Sequence, residues 1–402
     1  MNFVKKKLLL ISWSDNIGGA AQSCYEIYKC LKRNIKGTKL FVQEKILNDK
    51  NIISYKTQTL NLFIRKIFNL LFYLFRNKKN DYSLNLINSD IPQIAKIENY
   101  DLVNIHWIGR ETLSIKDIGR IKTKVILTLH DMWSFCGMEH YLDQLPKKFF
   151  FYTQNAKYNL ASFLIWRQKK KYWKKRFYII TPSRWLHNLV KRSKLMRHYP
   201  SIVIPYPVDQ KVFRNKKKIK RKARDVIKIL YVSSGRLFDP RKGFDLLENS
   251  LIKYYKEKYI VNIVGRINEK DKKRIKIKFK NTGYLHSKKK LAEIYNDADL
   301  LALPSRQDNL PNVGLEAQSC GLPIVAFDVG GIPEIVHHKR TGYLSKKFDT
   351  NDFAKGIYYL KNKREILSQN AEQRSKKLWS QKVILKKYKK FLTTVCNEKE
   401  NL

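Results

Sequence analysis

The stretch from Leu303 to Gly331, LPSRQDNLPNVGLEAQSCGLPIVAFDVGG, limits what the chain can fold into more than any other. An apolar run stops at Pro-Ser and a polar loop follows. Pro311 suits the first turn of a helix, a β-branched run resumes at Ile324, and Gly330-Gly331 ends it. That order reads as strand, loop, helix, strand, loop, the repeating unit of a parallel sheet. Asp308 stands on the loop and Glu316 one to two turns inside the helix. Both carboxylates therefore project toward the crevice at the carboxyl ends of the strands, where such sheets hold ligands. An ionised oxygen there accepts hydrogen bonds from hydroxyl groups, so a hydroxyl-rich ligand fits the pair.

The same alternation runs through the whole chain. KLLLISW, a glycine-bearing turn SDNIGGA and the helical AAQSCYEIYKCLKR open a first lobe, and DLVNIHWI, KVILTLHD and FYIITPS continue it as further strands. After SIVIPYPVD comes KVFRNKKKIKRKARD, almost without large apolar side chains, which reads as a linker. Strand-like VIKILYVSSG, KYIVNIVG, DLLALPS and PIVAFD then alternate with helix-like GFDLLENSLIKYY, SKKKLAEIYNDA and PNVGLEAQSC. A chain of 402 residues is long enough for two cores. The expected fold class is α/β, with two Rossmann-like, doubly wound domains. The boundaries expected are 1–208 for the first domain, 209–225 for a basic linker, 226–375 for the second domain and 376–402 for an amphipathic C-terminal helix.

Lys and Arg number 82 against 34 Asp and Glu, a formal charge of +48, so anionic surfaces attract this chain at low salt. Nucleic acid, anionic lipid and phosphorylated substrates all answer to that field. Five cysteines show neither metal-ligand spacing nor a disulfide framework, which suits a reduced cytoplasm. The N-terminal apolar run is too short for a signal core and reads as a buried strand, and no segment reaches the roughly 20 apolar residues of a spanning helix. Membrane contact is therefore expected to be peripheral. Two segments suit it. Residues 61–77 carry Asn61, Arg65, Asn69 and Tyr73 as a polar stripe on an apolar helix, and 163–178 interleave Trp166, Tyr172, Trp173 and Phe177 with seven Lys or Arg.

The acid, seven residues and then Glu-Ala, set within PS…EAQSCGLPIVAFDVGGIPEIV, resemble the retaining glycosyltransferases of family 4. Similarity extends to SGRLFDPRKGFDLL, to the Gly-Gly turn after the first strand and to LHDMW, and is strongest to the branch that builds bacterial surface polysaccharides. It departs at Asp308, where the wider family more often has Glu. The resemblance implies a GT-B fold, two domains facing each other across a cleft with the C-terminal helix crossing back to the first. It also implies a nucleotide-sugar donor, with UDP the commoner base, and a lipid-linked saccharide acceptor on the inner face of the cytoplasmic membrane.

Sugar transfer from a nucleotide leaves negative charge on the departing diphosphate, and Arg236 and Lys242 lie on a strand-to-helix loop suited to neutralise it. By resemblance these two hold the donor phosphates. Glu316 grips the ribose hydroxyls, Asp308 meets a hydroxyl of the donor sugar, and the backbone amides of Asn309 and Leu310 add contacts to it. Gly18 and Gly19 permit close approach of the donor, although a glycine pair after a strand by itself marks only a turn. His130, at the end of KVILTLH, is the expected catalytic imidazole alongside Asp308, Arg236 and Lys242; the plainer reading is a buried structural histidine, with Asp131 holding the loop. Residues 283–286 are expected to frame the base. No metal and no cofactor is expected, since the cations and helix N-termini can do the neutralising. Two other classes remain open at this stage. One is a basic nucleic-acid-binding protein, which accounts for the charge but not for the acids, so no specific nucleic acid is expected. The other is a degenerate transferase kept as a scaffold, for which Asp308 is the hint.

Overall fold

The structure is a computed structural model that describes residues 6–54, 82–142, 160–216, 226–233 and 235–398. The helix expected over 61–77 and most of the basic linker lie outside the described residues. Two units emerge: Met1–Ile204 with Leu385–Leu402, and Pro205–Ile384.

In the first unit β1 (Lys7–Ser14) leads into α1 (Gly18–Lys32), followed by β2 (Gly37–Glu44) and β3 (Ile52–Ser54). Then come α2 (Ile91–Ile94), β4 (Leu102–Ile105), α3 (Ile115–Arg120), β5 (Lys124–Thr128), α4 (Leu160–Tyr172), β6 (Phe177–Thr181), α5 (Arg184–Arg192) and β7 (Ser201–Val203). The sheet order is β3-β2-β1-β4-β5-β6-β7, every pairing parallel. Strands covered on both faces need continuous apolar runs, and β1, β4 and β6 supply them, with Leu8, Leu9, Leu10 and Ile11 wholly inaccessible.

The segment 163–178 departs from the sequence reading. Trp166, Trp173 and Phe177 do not face outward but enter the core, where Trp133 and Trp173 meet edge to face at 6.0 Å. The reason is α4, which packs against α3 and turns its aromatic side inward; the Trp173 indole donates to the Ile115 carbonyl at 2.9 Å. Lys169 goes inward with them. Its ammonium donates to the carbonyl oxygens of Trp133, Cys136 and Gly137 and lies 3.8 Å from the centre of the Trp133 ring. Burial pushes this lysine down to about 7, while Cys136, Glu139 and Asp131 favour its charge. What α4 leaves exposed is Leu160, Leu164, Arg167, Lys170 and Lys171.

The second unit holds β8 (Ile227–Val232), α6 (Phe244–Tyr254), β9 (Tyr259–Val264), α7 (Glu269–Arg274), β10 (Phe279–Gly283), α8 (Lys288–Asp297) and β11 (Leu300–Leu303). It continues with α9 (Asn312–Ser319), β12 (Ile324–Phe327), α10 (Ile332–Ile335), β13 (Gly342–Ser345) and α11 (Thr350–Trp379). Its order, β10-β9-β8-β11-β12-β13, again all parallel, is the 3-2-1-4-5-6 arrangement of a dinucleotide-binding sheet. The last helix, α12 (Gln381–Asn397), contributes residues from Leu385 onward to the first unit, burying Tyr388, Leu392 and Val395 there. Lys124 donates to the Val395 carbonyl at 3.0 Å and the Tyr178 hydroxyl to Glu398 at 2.8 Å, tying the chain end to β5 and β6.

Candidate active site

In the second unit the strand order reverses between β8 and β11, so the loops leaving their carboxyl ends diverge and open a crevice. The β8 loop carries Arg236, Arg241 and Lys242; the β11 loop carries Asp308, Asn309 and Leu310. Local chemistry shapes the first loop. The Asp239 carboxylate accepts from the Arg241 amide at 2.9 Å, Pro240 opens a single 3-10 turn, and Gly243 enters α6 with φ of 67°. A side chain at Gly243 would place Cβ 2.0 Å from the Pro304 carbonyl oxygen, so glycine is what lets the two loops touch. Gly330 does the same from the β12 side. With φ of 59°, its missing Cβ would lie 2.1 Å from the Asp308 carbonyl oxygen, which also accepts from the Gly331 amide at 3.0 Å.

Three loops are thereby drawn onto Asp308. The Lys242 ammonium meets Asp308 Oδ2 at 2.6 Å, an Arg241 Nη1 lies 3.6 Å from the same oxygen, and the Asn309 amide donates to Oδ1 at 3.1 Å. Burial pushes the Asp308 carboxyl up, but Lys242 and Arg241 outweigh it and hold it below the usual range. Lys242 is lowered from its ordinary value by the same burial and by Arg241, with Asp308 opposing both. Arg236 lies exposed on the same loop, and its carbonyl accepts from the Asp239 amide at 3.2 Å. Glu316, partly buried on α9, accepts from the Tyr295 hydroxyl at 3.0 Å, and Tyr295 on α8 is held well above the ordinary phenol value by burial and by that carboxylate. Asn309 and Leu310 are buried beside Asp308. At the ends of β9 and β10, the Arg266 guanidinium lies 5.0 Å from the centre of the Tyr284 ring, which meets His286 edge to face at 4.9 Å.

The remaining candidates sit in the first unit. Gly18 has φ of 83°, a value that itself favours glycine, with open space where its Cβ would be; Gly19 follows, exposed, at the start of α1. His130 is buried just beyond β5, and its Nε2 is hydrogen-bonded to Nδ1 of His106 at 3.0 Å. Burial drives His130 down to about 4 and His106 well below its ordinary value, so both imidazoles are neutral near pH 7. Asp131 fixes the loop that follows. It accepts from the Trp107 indole at 2.9 Å and the Trp133 amide at 2.9 Å, and lies 2.6 Å from His140, whose other nitrogen lies 2.8 Å from the Ser83 hydroxyl. Burial raises the Asp131 carboxyl, and the neighbouring His140 more than compensates.

Arg241, Tyr295, Arg266 and His106 were not singled out by sequence. Arg241 adjoins Lys242 in DPRKG and could have been found there, whereas the other three share no local pattern with the residues they touch. Among the described residues no group of three or more His, Cys, Asp or Glu could hold a metal ion.

Residues 228–363 match the family model described as Glycosyl transferases group 1. The chain is 42% identical over 71 residues to a D-inositol 3-phosphate glycosyltransferase of Mycobacteroides abscessus, a match covering 18% of this chain and 16% of that protein. Over 314 residues, 75% of this chain and 82% of the relative, it is 24% identical to an uncharacterized 41.2 kDa protein in the cps region of Klebsiella pneumoniae. Among solved structures it resembles sucrose-phosphate synthase from Thermosynechococcus elongatus, with a TM-score of 0.68 and 15% identity, covering 97% of this chain and 99% of that one. It also resembles Anabaena Alr3699/HepE in complex with UDP, with a TM-score of 0.63 and 13% identity, covering 96% and 100%. The α/β fold with its two parallel sheets is GT-B, and the stretch that matches the glycosyltransferase model lies within the second unit.

The paired histidines generate a pH prediction. Unfolding returns His130 from about 4 to an ordinary 6.5, so between those values the unfolded chain binds the extra proton. The stability in question is full above pH 6.5 and is lost as pH falls toward 4, at up to about 1.4 kcal/mol per pH unit for each histidine. Thermal unfolding of the wild type from pH 7 to pH 4.5 should show that decline, and His130→Asn should flatten it. An unchanged slope in the variant would contradict the buried, neutral imidazole.

Proposed function

We propose that this chain is a retaining glycosyltransferase that moves a sugar from a uridine diphosphate sugar to a lipid-linked saccharide during surface polysaccharide synthesis, without a metal ion. One observation carries the reading. Two cations, Lys242 and Arg241, converge on the buried Asp308 at the switch point of the second sheet, inside the stretch that matches the glycosyltransferase family. Anabaena HepE, which has the same fold, was solved with UDP, and the Klebsiella pneumoniae relative matched over 314 residues comes from a cps region; both support the donor class and the pathway.

In this reading the donor diphosphate draws Lys242, Arg241 and the exposed Arg236 onto its oxygens, which releases Asp308 to accept from a hydroxyl of the sugar. Glu316, oriented by Tyr295, accepts from the ribose hydroxyls. The bond from the anomeric carbon to the phosphate oxygen lengthens while the acceptor oxygen approaches the same face. The departing phosphate oxygen takes the acceptor's proton, and the cations stabilise the charge that develops. His130, neutral at pH 7, acts by hydrogen bonding rather than as a charged acid.

Donor choice is testable by thermal shift, because a ligand that binds only the native state raises apparent stability. UDP is expected to raise the melting temperature more than GDP. Lys242→Met should weaken the UDP shift and lower the rate of UDP release from the preferred UDP-sugar by about a hundredfold. No shift with any nucleoside diphosphate would end the proposal. Chelation separates the metal-free mechanism from its rival: turnover should survive excess EDTA, and loss with rescue by manganese would overturn that part.

Membrane docking rests on α4 rather than on its aromatics. Leu160 is 70% exposed and Leu164 47%, and at helical spacing they share a face with Arg167 and Lys171. Co-sedimentation with vesicles containing phosphatidylglycerol should fall several-fold for Leu160→Asp/Leu164→Asp at constant net salt. Equal binding of the double variant would remove α4 as the docking surface.

A further inference from the structure

We propose that Arg110 is the anion-recognising residue of an acceptor subsite in the first unit, so that the acceptor carries an oxyanion, a carboxylate or a phosphate ester, beside the hydroxyl that is extended. The inference deepens the transferase reading and rests on it for the word acceptor; the anion site itself stands on the geometry of the first sheet. That sheet reverses its order between β1 and β4, and the crevice opens at their carboxyl ends. Beyond β4 the two chains stay paired, with the His106 amide donating to the Ile11 carbonyl and the Trp13 amide to the Trp107 carbonyl, each at 2.8 Å. Just beyond the strands the Trp13 and Trp107 rings meet edge to face at 5.7 Å.

The chain then turns through Arg110 and Glu111 with φ of 60° and 58°, two successive non-glycine residues in the left-handed region. Such residues persist only where their surroundings impose the conformation. Here they do. The buried Glu111 carboxylate accepts from the amides of Asn85, Leu86 and Ile87, and the Asn85 side chain donates to the carbonyls of Ile108 and Leu113 at 2.7 Å each. Thr112 closes the turn by donating to the Gly109 carbonyl at 2.8 Å. None of this satisfies Arg110. The turn presents its side chain to solvent with the guanidinium 4.1 Å from the centre of the Trp13 ring.

In a chain with +48 formal charge an exposed arginine is ordinary, but one aimed by paired left-handed residues and held against an indole is not. Among the described residues its contact is the Trp13 ring, with no ion pair or hydrogen bond, and the adjacent Glu111 is already committed to the 85–87 backbone. The guanidinium lies against the Trp13 ring while the residue stays exposed, and its planar fork of N–H donors is the group that takes a carboxylate or phosphate through two parallel bonds. The strain is thus spent on presenting a planar cation over an aromatic floor.

The test uses the full chain labelled with 5-fluorotryptophan, the Trp13 resonance being identified by its loss in Trp13→Phe. Methyl phosphate, methyl glucuronide and neutral methyl glucoside are titrated at fixed ionic strength. The Trp13 signal should shift saturably with at least one of the two anions and not with methyl glucoside. The tighter of the two names the source of the charge, phosphate or uronate. Arg110→Lys, which keeps the charge but loses the fork, should weaken that binding about tenfold, and Arg110→Ala should abolish it. An unmoved Trp13 signal, an equal response to methyl glucoside, or an unchanged titration in both variants would overturn the site. UDP thermal shifts are run on the same samples. An unchanged UDP shift in Arg110→Ala shows the donor side intact, whereas absence of any UDP shift in the wild type would undo the transferase reading while leaving the anion result to be judged by itself.

Discussion

The second unit depends on an ion pair that most proteins avoid. Bringing the Lys242 ammonium and the Asp308 carboxylate together in a largely buried crevice strips water from both, a cost that Coulomb attraction offsets only when geometry is close and remaining lone pairs are occupied. Both conditions are met by backbone. Gly243 lets its loop close on Pro304 and Gly330 lets another close on Asp308, Asn309 donates to the second oxygen of Asp308, and Arg241 adds a further positive charge. The consequence is a site whose charges are already oriented rather than carried on loose side chains. Preorganisation of that kind is what makes charge stabilisation effective in a low-dielectric site.

The first unit uses buried polarity differently. Its loop from His130 to His140 is clamped by Asp131 and His140 from within and by the Lys169 ammonium from α4. Asp131 and Lys169 are bonded to backbone within that loop, and burial keeps the paired imidazoles of His106 and His130 beside it neutral. Where the chain leaves β4, Arg110 and Glu111 follow one another in the left-handed region, and there too a buried carboxylate holds the backbone in place. Rigid loops on a parallel sheet are the natural place for recognition, because the strands need all their apolar surface for packing and the loop ends carry what chemistry remains.

How much of this could be read from residues depended on whether the partners were close in sequence or linked by a motif. Leu303 to Gly331 announced a strand, a loop and a helix opened at Pro311, and the structure has β11, that loop and α9 in those places. Lys242 and Asp308 were each read as candidates on separate loops, and their direct meeting at 2.6 Å is a finding of the structure. Arg241, one residue from Lys242, was passed over because adjacent cations look alike in a chain with 82 of them. The aromatics of 163–178 were read as outward because composition alone cannot tell which side of a short helix packs; α3 decides that by covering Trp173. His106 and Tyr295 had no signal at all, being brought to His130 and Glu316 from other strands and helices.

By itself the sequence determined the α/β class and the alternation of strands and helices, since hydrophobic runs bounded by turn residues are local and survive without knowledge of neighbours. It also determined which loops could carry charge to the ends of the strands. Only the tertiary structure decided which of those charges meet, which aromatic rings are buried and which arginine is left facing solvent. Those outcomes turn on backbone approaches of a few ångströms between segments dozens of residues apart, as at Gly330 against Asp308, and no local pattern encodes a distance.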